Sequence, residues 1–243
     1  MPASDPDPFG RAIRDFHRGE QSEPLYQRDG ETVLEHPIER FYFEPFDSDS
    51  EPGQWLESQL EGPLLDMGAG AGRHALYFQE QFETVPIEQS AHLVEVLRER
   101  GVEDARKADM FALREEFERD RFHSALSRGT QLGLVGSMAG LRKFLGDLAY
   151  VTTPDATAVL DGYDPTRPRT AELLGYRSDP APGLASRVIQ FEYEDDLGET
   201  LLFRLFSPDR LREAAIGTGW EVAEIRPMPP EEPNQWWAAL EKR

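Results

Sequence analysis

Apolar and polar positions are unevenly distributed along the 243-residue chain. Residues 1 to 53 are polar and interrupted by Pro2, Pro6, Pro8, Pro24, Pro37, Pro45 and Pro52. Within them Phe9, Ile13 and Phe16 recur at helical spacing and predict a short amphipathic helix over Phe9 to Arg18. Phe41, Tyr42, Phe43 and Phe46 form an aromatic cluster that needs a surface to pack on, so the segment reads as a cap or lid. From residue 54 the pattern becomes regular. Helices are expected over Gln54 to Glu61, Gly72 to Phe82, Ser90 to Arg100 and Met138 to Tyr150, the third with Ser90 as N-cap and Gly101 as stop signal. Between them lie apolar runs of strand length, Pro63 to Met67, Thr84 to Ile87, Ala105 to Ala108, Phe122 to Leu126 and Thr157 to Asp161. Strands alternating with helices at this spacing predict a parallel sheet covered on both faces. The last third differs. Arg187 to Tyr193 and Thr200 to Phe206 predict a hairpin around an Asp195–Gly198 turn. Ser207 and Pro208 then open a helix running to Ile216, and Trp220 to Ile225 with Gln235 to Leu240 predict a closing antiparallel pair.

Composition narrows the range of partners. Hydrophobic residues make up 39% of the chain, enough for a core, while the formal charge is −20 at pH 7. Such a charge repels phosphate backbones and anionic membrane surfaces, and no basic stretch offsets it, so neither nucleic acid nor a membrane is an expected partner. There is no cysteine, which excludes disulfides and thiolate chemistry, and the remaining His and carboxylate spacing suggests no metal site. No apolar run reaches membrane-span length and Met1 to Gly10 lacks an apolar signal segment, so a soluble, cytoplasmic protein is expected. Lys107, Lys143 and Lys242 are the only lysines among 26 basic residues. Many carboxylates, few lysines and no cysteine resemble the proteins of halophiles that keep molar salt inside the cell.

The sharpest local signal is Leu64-Leu65-Asp66-Met67-Gly68-Ala69-Gly70-Ala71-Gly72-Arg73. A buried strand runs into three glycines at alternate positions and then into a helix. Glycine serves where backbone must take positive φ or let a ligand lie against it, and the carboxyl end of such a strand is where open α/β sheets bind ligands. A dinucleotide fingerprint G-x-G-x-x-G starting at Gly68 would need glycine at position 73, where Arg73 stands.

The pattern acidic-x-G-x-G-x-G resembles the first motif of the class I S-adenosylmethionine-dependent methyltransferases, and the resemblance extends over residues 54 to 243. It implies a Rossmann-like α/β fold, a seven-stranded, mostly parallel sheet with an antiparallel last strand, here with residues 1 to 53 as an N-terminal cap and a hairpin inserted at about residues 187 to 206. It implies S-adenosylmethionine as cofactor and a small molecule as acceptor. Asp66, Gly68, Ala69, Gly70 and Gly72 would form the cofactor turn, with Asp66 either reaching the methionine amino group through water or ordering the loop. Glu88, followed by Gln89, stands where the family holds the ribose hydroxyls, and Asp109 where it meets the adenine amine, with Met110 beneath the ring. Ser127 would hold the methionine end. The sequence departs from the family at His123, where an Asp is usual, and at Thr153-Pro154-Asp155-Ala156, where only the proline of Pro-Gly-Gly is kept.

Methyl transfer is an in-line displacement that needs alignment and desolvation. A general base is needed only when the acceptor is protonated. No residue is therefore assigned as catalytic. Substrate-facing candidates are Arg128, Asp161 and Tyr163, expected at the carboxyl ends of the fourth and fifth strands, and His17 from the lid; each has a structural reading beside the functional one. His74, His123, Tyr42 and Phe43 read as packing residues. Two other functions fit the same elements: a non-catalytic S-adenosylmethionine-binding sensor, and an NAD-dependent oxidoreductase, which the residue at position 73 disfavours.

Overall fold

The computed structural model describes residues 7–227 and 234–243. The chain opens with helix α1 (Pro8–Arg18), capped by the Asp7 carboxylate accepting from the Gly10 N–H at 2.8 Å. Two short strands follow, β1 (Tyr26–Asp29) and β2 (Thr32–Glu35), then helix α2 (Glu51–Gln59). The alternating region comprises β3 (Leu64–Met67), α3 (Arg73–Phe78), β4 (Thr84–Glu88), α4 (Ala91–Glu99), β5 (Arg106–Lys107), α5 (Leu113–Glu116), β6 (Phe122–Ser127), α6 (Met138–Val151) and β7 (Thr152–Tyr163). Strands β8 (Tyr176–Ser178), β9 (Leu184–Tyr193), β10 (Asp196–Leu197) and β11 (Leu201–Phe206) precede α7 (Pro208–Ala215), β12 (Trp220–Pro227) and β13 (Gln235–Lys242).

One sheet has seven strands in the order β12-β13-β7-β6-β3-β4-β5. Strands β3 to β7 pair in parallel, and β13 runs antiparallel to both of its neighbours. Alternate residues of β3 serve the two faces. Leu65 and Met67 join the core built with Leu141, Leu145 and Leu148 of α6 and Leu211 of α7, while Leu64 packs with Leu56 of α2 and Phe78 of α3. This is the α/β sheet expected from the sequence, down to the reversed last strand.

The caps behave as their residue types require. Ser90 accepts from the Leu93 N–H at the start of α4, and Ser207 from the Arg210 N–H at the start of α7. The third strand contracts to two residues, Arg106 and Lys107, at the sheet edge, where only one neighbour stabilises it.

The remaining strands form a second, six-stranded antiparallel sheet around β9. The expected hairpin is present, but its tight turn falls at Glu194–Asp195, and Asp196 and Leu197 already pair with Tyr193 and Glu192. Glu194 takes φ 54°, the left-handed step of this turn. Strand β11 continues along the same edge of β9, with Leu201 opposite Ile189. On the other edge β8 and β1 pair with β9, Tyr26 opposite Glu192, and β2 closes the sheet beyond β1. Residues 26 to 35, expected inside an N-terminal cap, thus supply two strands to the sheet that the hairpin builds. The buried face of this sheet packs on α1 through Ile189, Phe191 and Tyr193 against Ala12 and Ile13, and α1 lies on α4.

Candidate functional site

Strand β3 ends at Met67 and the chain turns through three glycines in the left-handed region, Gly68 (φ 69°), Gly70 (58°) and Gly72 (88°). A Cβ at Gly72 would stand 2.8 Å from Leu97 Cδ2 and 3.1 Å from Val102 Cγ2, so this glycine lets α3 close on α4. At Gly70 the nearest group to a Cβ would be Tyr42 Cδ1, at 3.3 Å. The Gly68 and Ala69 N–H groups donate to the Ile87 carbonyl at 3.0 and 3.2 Å, tying the turn to the end of β4.

The next residue, Glu88, organises the rest. Its Oε2 accepts from the Gly70 N–H at 3.1 Å, and its Oε1 from the N–H groups of Gln89 (2.8 Å) and Ser90 (3.2 Å). An ionised carboxylate has about four acceptor positions, so it retains capacity for a hydroxyl. Burial pushes its pKa up against the pull of these backbone donors. Asp66, only 2% exposed, lies on β3 just before the turn, and its Oδ2 has no hydrogen-bond partner. Burial, and then the charge of Glu88, pushes the Asp66 carboxyl up to about 7. Ser127, fully buried at the end of the neighbouring β6, also has an unpartnered Oγ. Buried polar atoms of this kind cost on the order of 1–3 kcal/mol each when left unpaired. Both residues lie at the carboxyl ends of adjacent strands, with Asp66 opposite Leu126 and Ser127 opposite Met67. Beyond β5, Asp109 accepts from the Phe111 N–H at 2.8 Å and Met110 is buried.

The N-terminal region lies over this turn. Arg73 donates from Nε to the Glu44 carbonyl at 2.8 Å and also to the Arg40 carbonyl. Arg100 reaches the carbonyls of Ala71 and Tyr42, with its guanidinium 5.0 Å from the Phe43 ring centroid. Tyr42 is thereby held on Gly70, and its hydroxyl meets His36 Nε2 at 2.9 Å. The aromatic cluster that reads as packing in the sequence thus packs on the glycine turn itself.

The substrate-facing candidates are divided. Arg128 and Asp161 come together at the ends of β6 and β7, with Arg128 Nη1 3.7 Å from Asp161 Oδ2 and the guanidinium 3.4 Å from the Trp237 ring centroid. Asp161 accepts from the N–H groups of Gly129 (2.9 Å) and Thr130 (2.7 Å), so it fixes the loop after β6. Tyr163 borders a void of about 10 Å³ together with Thr130, Leu132, Phe203 and Trp236, where the two sheets meet. His17 lies apart from the turn. It stacks on Phe43 and stands 3.6 Å from Glu99 Oε2 on α4. His74 packs on Phe46, and burial together with Arg128 and Arg73 lowers its pKa to about 3, so it stays neutral.

Sequence reading missed Gln131, His36, Gln27 and Arg187. Gln131 Cγ would stand 3.0 Å from a Cβ at Gly68. The other three continue inward from Tyr42: His36 Nδ1 meets Gln27 Nε2 at 2.8 Å, and Gln27 Oε1 accepts from Arg187 Nη2 at 2.6 Å. The signal for Arg187 was present, because it sits at an inward position of an alternating strand. Among the described residues no group of three or more His, Asp or Glu is arranged to hold a metal ion, and no helix is long and apolar enough to cross a membrane.

Neither a family model nor a curated protein matches the chain. Solved structures do. A S-adenosylmethionine-dependent methyltransferase from Bacteroides fragilis, in complex with S-adenosylhomocysteine, aligns with TM-score 0.76 and 24% identity over 100% of this chain and 97% of that one. One from Clostridium acetobutylicum aligns with TM-score 0.62 and 13% identity over 80% and 90%. A methyltransferase from Burkholderia thailandensis, with bound 1,6-didemethyltoxoflavin and S-adenosylhomocysteine, aligns with TM-score 0.51 and 18% identity over 74% and 70%. The chain has the class I methyltransferase fold.

Proposed function

We propose that the chain transfers a methyl group from S-adenosylmethionine to a small-molecule acceptor. The observation that carries this reading is the Gly68–Gly72 turn, with Glu88 fixing its Gly70 N–H and with the unpartnered buried Asp66 Oδ2 and Ser127 Oγ beside it. The donor set fits the group: acidic acceptors suit hydroxyls and an ammonium, and no lysine stands at the turn for a phosphate. The fold shared with cofactor-bound methyltransferases adds support. When bound, S-adenosylmethionine supplies an electrophilic methyl on a sulfonium centre.

In this reading Glu88 accepts the ribose hydroxyls with its remaining capacity, Asp66 and Ser127 hold the methionine end, and Asp109 and Met110 border the adenine. Gly68, Ala69, Gly70 and Gly72 give the backbone surface, and Gln89 contributes its N–H to Glu88. Tyr42 excludes water above Gly70, which strengthens the electrostatics beneath it. Arg128 and Tyr163 face the acceptor, with Asp161 positioning the loop between them. Calorimetric titration with S-adenosylmethionine, S-adenosylhomocysteine and NAD tests the reading. Both sulfur ligands are expected to bind and NAD is not; binding of NAD alone would replace the reading with an oxidoreductase.

We also assign the acidic surface to life in concentrated salt. At ~1 M salt the Debye length falls to ~3 Å, which screens the mutual repulsion behind a charge of −20. Denaturation followed from low to molar KCl is expected to show stability rising with salt, and unchanged stability would remove this assignment.

A further inference from the structure

Strand β9 alternates strictly between inward and outward residues, and its inward set is Ala185, Arg187, Ile189, Phe191 and Tyr193. Four of these positions carry the small, apolar or aromatic groups that a buried sheet face requires. The fifth carries a guanidinium. Arg187 is only 8% exposed. Among the described residues its partners are the Leu174 carbonyl, 2.9 Å from Nε, the Gln27 Oε1, 2.6 Å from Nη2, and the Tyr163 ring, whose centroid is 6.0 Å away. None of these is a carboxylate. A buried cation normally persists only when paired, because removing it from water costs several kcal/mol. The chain has 46 acidic residues, so the lack of a carboxylate partner for this buried guanidinium among the described residues is informative.

The position of Arg187 connects it to the glycine turn. The hydrogen-bonded series Arg187–Gln27–His36–Tyr42 ends with the Tyr42 ring on Gly70. Tyr163, beside Arg187, closes the carboxyl end of β7, next to the strand that bears Ser127. Gln27 fixes one edge of the guanidinium and the Leu174 carbonyl another, which leaves Nη1 without a protein acceptor among the described residues. An Nη1 N–H together with the second N–H of Nη2 would supply the two parallel donors that a planar anion takes.

We propose that Arg187 anchors the methyl acceptor by an anionic group, so that the acceptor is a small carboxylate-bearing molecule lying between Tyr163 and the glycine turn. This rests on the methyltransferase reading and adds the acceptor's chemical class to it. Gln27 is a positioning residue, since it acts through the guanidinium. The same arrangement keeps His36 uncharged: burial, and then the positive charge of Arg187, lowers its pKa to about 4. In the series Arg187–Gln27–His36–Tyr42, Arg187 is therefore the charged member.

The test uses the full chain saturated with S-adenosylhomocysteine, at constant ionic strength. Acetate, benzoate and phenylacetate are titrated against acetamide, benzamide and phenylacetamide, by calorimetry, on the native protein and on Arg187→Met. At least one carboxylate is expected to bind the native complex about 30-fold or more tightly than its amide, the scale set by truncating one partner of a buried charge pair. Arg187→Met abolishes that preference while S-adenosylhomocysteine binds as before. Arg187→Gln, which keeps a donor beside Gln27, gives the same result and guards against misfolding of the methionine variant. Equal binding of carboxylate and amide, no carboxylate binding, or a preference that survives both substitutions overturns the inference. Failure of the native protein to bind S-adenosylhomocysteine overturns the methyltransferase reading instead, so the two failures are distinct.

Discussion

Replacing Glu88 by alanine is expected to weaken S-adenosylhomocysteine binding by at least about 100-fold, the largest loss of any single substitution at the turn. Two contributions combine. The carboxylate's remaining acceptor capacity is the expected site for a vicinal diol, and hydrogen bonds to a charged group contribute roughly 1.5–3 kcal/mol each. The same side chain also restrains the N–H groups of Gly70, Gln89 and Ser90, so the turn loses its order together with its acceptor. At about 1.4 kcal/mol per tenfold change in affinity, one such bond together with the lost order of the turn accounts for the expected effect. The substitution should also lower Tm by several degrees, since ~1 kcal/mol corresponds to roughly 2–4 °C for a domain of this size. Glu88→Gln keeps a carbonyl oxygen and should retain more of the fold than of the affinity. Native affinity in a folded Glu88→Ala protein would remove Glu88 from the cofactor site.

The second large effect concerns pH. Asp66 is buried with one oxygen unpartnered, and its carboxyl is pushed from an ordinary 3.8 to about 7. Between those values the unfolded chain has released a proton that the folded chain keeps. The contribution of this group to stability therefore declines as pH rises through that window and levels off above it. Three pK units correspond to on the order of 4 kcal/mol as an upper bound. Asp66→Asn has no such proton, so denaturant melts of the variant should lack this slope and exceed the native protein in stability near neutral pH. Ligand binding should respond with the opposite sign. The cofactor's ammonium favours the ionised carboxyl, so binding near pH 6 releases a proton and affinity rises with pH towards about 7. Calorimetry in buffers of different ionisation enthalpy measures that release. A pH-independent affinity in the native protein, with no proton release, would assign Asp66 to ordering the loop alone.

The parts of this molecule that sequence reading recovered are those encoded over short stretches. Strands of a parallel sheet are buried on both faces, so Leu64 to Met67 and Thr84 to Ile87 stand out as apolar runs between helices with their own caps. The turn after Met67 is legible because three left-handed steps at alternate positions demand glycine. Glu88 follows from its place at the end of the next strand.

The second sheet was not legible in the same way. Its β1–β9 pairing joins Tyr26 to Glu192, and nothing local in either segment names the other. Strand β2 is exposed throughout and carries no alternation to read. Arg187 illustrates the limit most clearly. Its inward position follows from the period of β9, but the lack of a carboxylate partner depends on Gln27, His36 and Leu174, which three separate segments bring to it. His17, a substrate candidate from its place in a cap, stands on α1 beside Glu99 and Phe43.

The proposed chemistry depends on the turn at the end of β3 being the cofactor site. A structure of the protein with S-adenosylhomocysteine tests it most directly. The ligand is expected against Gly68 to Gly72, its ribose hydroxyls on Glu88, its amino acid end reaching Asp66 and Ser127, and its adenine beside Asp109 and Met110. The ligand bound at another place on the chain, with Tyr42 still on Gly70 and with Asp66 and Ser127 untouched, would contradict it.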